Sequence, residues 1–285
     1  MRIQQKGSPL NVPCGKCNFC LQNRRNEWAF RLNYELRRVE SAHFITLTYS
    51  TEHVPIKVIG TRAYLVLDKD HLKYFHKQIK QIQSRYFKNN KVSKTEQKKW
   101  RIKYYAVGEY GTKFHRPHYH SIILNLHPEV FRKLENKEVW KYGDIHRGDV
   151  NDASIQYTAK YLIDKIPHAD LLPKQFALMS KGIGDNYIKD KKRWHKQGGR
   201  MYVPDGQKRM RMPRYYKDKI FSSMEKEILG EKAYNEQKKY EDEKIEEIAR
   251  EQCNGNLSQA IDIYCERIEK RHEQIRIKAS KNNKI

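Results

Sequence analysis

The 285 residues carry 58 Lys and Arg against 34 Asp and Glu, a formal charge of +24. A chain of this length buries a sizeable core, and such a charge calls for a polyanionic partner, either nucleic acid or an anionic membrane. No run of about 18 apolar residues and no signal-peptide core is present, which argues against a spanning or secreted protein, and five cysteines with three clustered fit a reducing compartment rather than a disulfide framework.

In chain order, the first twenty residues read as loop and end in Cys14-x-x-Cys17-x-x-Cys20. Thiolates at this spacing can bind zinc, but a structural zinc site normally needs four ligands and no fourth lies nearby in sequence; a reduced, locally packed cysteine turn is the alternative. Over residues 21–40, Leu21, Trp28, Leu32, Leu36 and Val39 recur at helical spacing, with arginines at 24, 25, 31, 37 and 38 on the remaining surface. Ile45, Leu47 and Tyr49 alternate with Phe44, Thr46 and Thr48, as in a strand. Residues 63–67 form a short apolar strand. Asp70 can then cap a helix whose Leu72, Phe75, Ile79, Ile82 and Tyr86 make one core stripe. Lys88–Trp100 is polar and basic and reads as a surface loop.

The run Tyr104–Gly108 reaches Glu109, and turn formers fill Gly111 to Pro117 before His118-Tyr-His120 and the strand-like Ser-Ile-Ile-Leu-Asn-Leu. Residues two apart on a strand share a face, so both imidazoles leave the same side, and a hairpin can bring the Glu109 carboxylate beside them. Two imidazoles and a carboxylate suit a divalent ion; an ordinary hydrogen-bonded surface is the alternative. Pro128 then opens a helix through about Trp140, and 144–150 supplies another strand. Asp152 as N-cap and Pro167 as stop predict a helix over 153–166. On it Tyr157, Tyr161 and Lys165 follow i, i+4, i+8, with Lys160 and Asp164 on the adjoining edge and Ile155, Ala159, Leu162 and Ile166 inward. An amphipathic surface helix would show the same pattern. Beside the histidines, however, the tyrosines suggest nucleophiles facing a metal.

From Lys189 to Lys219 there are twelve Lys or Arg with Trp194, Tyr202, Tyr215 and Tyr216 among them, broken at Gly198-Gly199 and Asp205-Gly206. Cations bind phosphate and aromatic faces stack on unpaired bases, so a single-strand or junction-binding arm is expected, with Arg193, Trp194, Arg200, Arg209, Arg211 and Arg214, and earlier Arg116, as contacts; a flexible basic tail is the bland alternative. Residues 222–285 carry 13 Lys or Arg and 14 Asp or Glu, a net of −1. The remaining 45 basic and 20 acidic residues leave +25 on the first 221. Two helices, 225–252 and 257–278, are expected in this charged extension, divided by Gly255. The division is therefore a motif-bearing domain over 1–221 and a helical extension over 222–285. Strands interleaved with helices, one pair joined by a tight turn, give an α+β class with a central antiparallel or mixed sheet.

Phe44-Ile-Thr-Leu-Thr-Tyr49, Arg116-Pro-His-Tyr-His120 and Tyr157-x-x-Lys-Tyr161 resemble the three ordered motifs of rolling-circle replication initiators of the HUH endonuclease superfamily. Within it the chain is most similar to the initiators of gokushovirus-like microviruses, small single-stranded-DNA phages. Pro13-Cys-Gly-Lys-Cys-x-x-Cys20, Lys181-Gly-Ile-Gly184 and Met212-Pro-Arg-Tyr-Tyr-Lys-Asp-Lys-Ile220 add to the likeness, which covers roughly residues 10 to 225. The resemblance implies a ferredoxin-like core with the histidines on a central strand and the tyrosine helix over that face. It implies Mg²⁺ or Mn²⁺ held by His118, His120 and Glu109, and attack on single-stranded origin DNA by Tyr157 or Tyr161, with Lys160 and Lys165 stabilising charge. It further implies action in the cytoplasm of an infected bacterium, with a host polymerase and, since no Gly-x-x-x-x-Gly-Lys-Ser/Thr loop is present, a host helicase. A conjugative relaxase or transposase shares this logic; a non-catalytic nucleic-acid-binding protein and a zinc-cluster regulator do not need the tyrosines.

Overall fold

The computed structural model describes residues 2–5, 8–11, 14–15, 17–111, 113–135, 139–160, 171–206 and 208–281. In chain order its elements are β1 (Arg2–Gln5), β2 (Ser8–Asn11), α1 (Asn18–Leu36), β3 (Ala42–Thr48), β4 (Ile56–Ile59), β5 (Arg62–Leu65), α2 (Lys69–Asn89), α3 (Lys94–Lys99), β6 (Lys103–Tyr110) and β7 (Pro117–Leu124). There follow α4 (Pro128–Arg132), which runs into a 3-10 turn at Lys133–Glu135, β8 (Ile145–Gly148), α5 (Asp152–Lys160), β9 (Phe176–Met179), α6 (Asp185–Gly198), β10 (Tyr202–Asp205), β11 (Lys208–Arg211), α7 (Arg214–Ile220), α8 (Ser223–Gln252) and α9 (Leu257–Lys281). They fall into two compact units, residues 24–187 and residues 1–23 with 188–285.

In the 24–187 unit, one five-stranded sheet runs β8-β3-β7-β6-β9 with every neighbour antiparallel, as the α+β expectation requires. Alternation along the strands sorts its side chains. Ile45, Leu47, Ala106, Tyr119 and Ile123 pack with Leu72, Phe75 and Ile79 of α2 and Val130 of α4. Tyr105, Val107, Ile122 and Leu124 pack on the other face with Ala29 and Leu32 of α1 and Ile155 of α5. Helices thus cover both faces of the sheet, and each fully buried Leu, Ile or Phe contributes roughly 1.5–3 kcal/mol.

Several local expectations are corrected. The side chain of Asp68, not Asp70, caps α2, accepting from the Asp70 and His71 amides at 2.7 and 3.1 Å, while Asp70 pairs with Lys73 in the first turn. Residues 62–65 pair with β4, in a separate ribbon whose Ile56 and Val58 stay exposed. The stretch expected as loop before Trp100 contains α3, because Ser93 accepts from the Glu96 amide and starts a turn. The helix opened by Pro128 ends at Arg132, and Trp140 is instead a buried side chain that donates to the Thr48 carbonyl at 2.9 Å. Close beside it, a β-carbon at Gly143 would lie 2.2 Å from the Thr48 oxygen, so only glycine fits there. Asn151, rather than Asp152, caps α5: its side chain accepts from the Ser154 amide at 2.9 Å. The Lys181–Gly184 loop is pinned from α1, where Glu35 accepts from the Gly184 amide and Arg31 donates to the Ile183 carbonyl.

The second unit shows that the basic stretch is folded and not a flexible tail. α6, the β10–β11 hairpin and α7 bury Val203, Met212, Tyr216 and Ile220. A capping box between Ser222 and Glu225 starts α8, and α8 and α9 meet through Ile248, Ala249, Cys253 and Ala260. These two helices match the expected pair to within a few residues.

Candidate active site

The β6–β7 register places Glu109 opposite His118 and Val107 opposite His120. The turn between the strands closes through Gly111 donating to the Arg116 carbonyl at 3.0 Å, and the Arg116 guanidinium ties it to the end of β3 by donating to the Tyr49 carbonyl at 2.7 Å. Gly108 allows the close packing that seats Glu109, since a β-carbon there would lie 3.0 Å from the Phe176 ring and 3.1 Å from Tyr119.

On one face of this hairpin, Nε2 of His118 and Nε2 of His120 lie 2.5 and 2.9 Å from the same Glu109 Oε1. The outer nitrogens are held as well: Nδ1 of His118 is 3.1 Å from the Arg116 carbonyl, and Nδ1 of His120 is 2.9 Å from Thr46 Oγ1. Phe44 stacks on the His120 ring with centroids 5.4 Å apart. Burial disfavours the charged Glu109 carboxylate, but hydrogen bonds from both histidines outweigh it and hold the carboxyl below its ordinary pKa. Burial likewise opposes a charge on His118, yet the Glu109 carboxylate prevails and raises its pKa; on His120 burial prevails and the pKa falls. The second carboxylate oxygen, Glu109 Oε2, is buried with no hydrogen-bond partner. Two imidazoles aimed by their outer nitrogens and a carboxylate with an uncommitted oxygen fit a divalent cation.

α5 lies over this face. Ile155 and Ala159 are buried, which turns Tyr157 to the edge, where it is 39% exposed. Its hydroxyl donates toward Glu109 Oε1 at 3.5 Å, and its ring stands edge-on to His120 with centroids 5.1 Å apart. Arg25 of α1 donates to the Gln156 side chain at 2.9 Å and steadies α5. Lys160 closes the helix and is half-buried. Tyr161, Lys165 and the rest of 161–170, including Leu162, Asp164 and Ile166, lie outside the described residues.

The other candidate residues fall in the second unit. Arg193, Arg209, Arg211 and Arg214 are exposed. Arg200 lies over Trp194 at 4.6 Å and Arg209 over Tyr202 at 4.7 Å, so two aromatic faces expected for bases carry cations from their own unit. The sulfurs of Cys14, Cys17 and Cys20 lie within 4.8 Å of one another. Sequence reasoning missed Thr46 and Phe44 as supports of His120. Their signal was the strand alternation itself, since both share the parity that faces the histidines once β3 pairs with β7.

Residues 42–166 match the family model of the ORF2-type replication-associated proteins. The chain is 31% identical over 227 residues to replication-associated protein ORF2 of Spiroplasma virus 4, covering 72% of this chain and 66% of that protein. It is 28% identical over 240 residues to replication-associated protein VP4 of Bdellovibrio phage phiMH2K, covering 76% and 70%. Among solved structures, the N-terminal nuclease domain of the minute virus of mice non-structural protein-1 aligns with 59% of this chain and 83% of that one, at 8% identity and a TM-score of 0.19, too loose a fit to bear on the site. The chain thus spans about two thirds of the length of the phage proteins it matches, and with the motif order and the hairpin geometry it belongs to the gokushovirus-like replication-associated proteins.

Proposed function

We propose that this protein initiates rolling-circle replication of a phage genome by nicking single-stranded origin DNA with Tyr157 as nucleophile. The observation that carries the reading is the convergence of the Tyr157 hydroxyl and both histidine Nε2 atoms on one carboxylate oxygen of Glu109. Glu109 is held ionised, so it orients the phenol and is the nearest acceptor for its proton. The phenolic oxygen attacks phosphorus in line and the bond to the 3′ oxygen breaks. That oxygen takes up a proton, leaving a 5′ phosphotyrosine and a free 3′ hydroxyl from which a host polymerase extends. Mg²⁺ or Mn²⁺ held by Glu109, His118 and His120 would supply the charge that polarises the scissile phosphate. Lys160 stands one turn of helix from Tyr157 to meet phosphate, and Tyr161, at the next position, is the second nucleophile for cutting the regenerated origin and resealing the displaced circle. Unwinding falls to a host helicase, in the cytoplasm of the infected cell. Among the described residues no helix is long and apolar enough to cross a membrane.

Incubation with single-stranded phage origin DNA and Mn²⁺ tests this. A covalent protein–DNA adduct is expected, reduced at least about 10²-fold by Tyr157→Phe and absent from Tyr157→Phe, Tyr161→Phe. An undiminished adduct in the double variant would exclude the mechanism.

A further inference from the structure

Cys14, Cys17 and Cys20 have no part in that chemistry, yet they are gathered as tightly as the hairpin site. Cys14 Sγ lies 3.9 Å from Cys20 Sγ, and all three sulfurs are mutually within 4.8 Å. Tetrahedral zinc with Zn–S bonds of about 2.3 Å sets its sulfurs about 3.8 Å apart. The Cys17 amide donates to Cys14 Sγ at 3.2 Å, a bond that stabilises a thiolate, and Gly15 with φ +70° makes the turn that permits it. Cys17 and Cys20 sit at the start of α1, the Leu21 amide bonding the Cys17 carbonyl at 3.0 Å, where unpaired backbone amides and the helix dipole favour negative sulfur. All three are reduced thiols, and Cys14 and Cys17 are exposed. Unligated cysteines are ordinarily among the most buried residues, and three exposed thiols in contact are prone to oxidation.

We propose that Cys14, Cys17 and Cys20 form a thiolate site for a soft divalent ion of the zinc class, separate from the hairpin site and serving to fix the turn that leads into α1. Among the described residues no fourth His, Cys, Asp or Glu joins the group, so solvent takes the fourth position. Binding replaces the thiol protons, which pass to solvent, and changes no oxidation state.

The test uses the full chain, reduced and stripped of metal, titrated with Co²⁺. At about one equivalent a sulfur-to-cobalt charge-transfer band should appear in the near ultraviolet with strong tetrahedral bands in the visible. Both should persist in Glu109→Gln, vanish in the triple variant C14S, C17S, C20S, and be displaced by Zn²⁺. A readout on the unaltered protein guards against misfolding of the triple variant: Zn²⁺ should slow alkylation of these three cysteines by iodoacetamide at least about tenfold, followed by peptide mass spectrometry. Absence of the charge-transfer band, or alkylation rates indifferent to Zn²⁺, would overturn the proposal whatever the outcome of the nicking assay.

Discussion

The two sides of β7 make opposite use of polar groups. On one side Tyr119 donates to the Asp68 carbonyl, accepts from the Asp68 amide and exchanges a hydrogen bond with Tyr49 at 2.7 Å. Ser121 on the same side meets His76 Nε2 at 2.9 Å, while Nδ1 of His76 is satisfied by the Leu72 carbonyl. On the other side His118 and His120 share one carboxylate oxygen, and its twin has no partner. A buried polar atom without a partner costs about 1–3 kcal/mol, more when charged. The closed network holds the sheet to α2; the open one keeps a strong donor set in reserve for a ligand.

Substitutions on the two sides should therefore separate activity from stability. Glu109→Gln should lower adduct formation by roughly 10³-fold and abolish the rise in melting temperature on adding Mn²⁺, while leaving the metal-free protein as stable as before or more so. A variant that loses stability and keeps its response to Mn²⁺ would reverse the assignment of sides. The next effect in size belongs to His76, which is buried and neutral with its pKa pushed down to about 3, first by desolvation and then by Lys80. Its unfolded value is near 6.5, so as pH falls from about 6.5 toward 3 the unfolded chain takes up a proton that the folded chain refuses, and stability drops across that window by as much as a few kcal/mol. Urea midpoints at about pH 7.5 and about pH 4.5 should differ less in His76→Gln than in the parent. Thr46→Val, which frees Nδ1 of His120, should weaken Mn²⁺ binding by about 10- to 100-fold with little change in melting temperature. The smallest effect is expected from Tyr119→Phe, about 1 kcal/mol of stability by urea unfolding with adduct formation unchanged.

Much of the hairpin site was legible because period-two alternation is a hard constraint. Once Tyr104–Gly108 and Ser121–Leu124 read as strands, a turn over 111–116 had to bring Glu109 near His118. The position of Tyr157 followed from helical spacing, with Ile155 and Ala159 fixing the buried side. What sequence did not yield came from competition among equivalent local signals. Asp68 and Asp70 are both acceptable caps, as are Asn151 and Asp152, and only the tertiary start of each helix chooses between them. Trp140 was read as helical because its apolar spacing continues that of α4, whereas its indole is claimed by the distant Thr48 carbonyl. The folding of the basic stretch was obscured by charge: Val203, Met212 and Tyr216 form its inner side, but they are few among the cations around them.

The fixed pairing of Glu109 with His118 also limits how this chain can change in length. An indel of one residue inside β7 would turn both imidazoles into the packed layer against α2 and bring Tyr119 and Ser121 out beneath α5, exchanging the two sides at a stroke. Residues added at the tip between Gly111 and Arg116 leave that parity intact. Length variation compatible with nicking should therefore accumulate in the tip, while the spacing from His118 to Leu124 stays invariant.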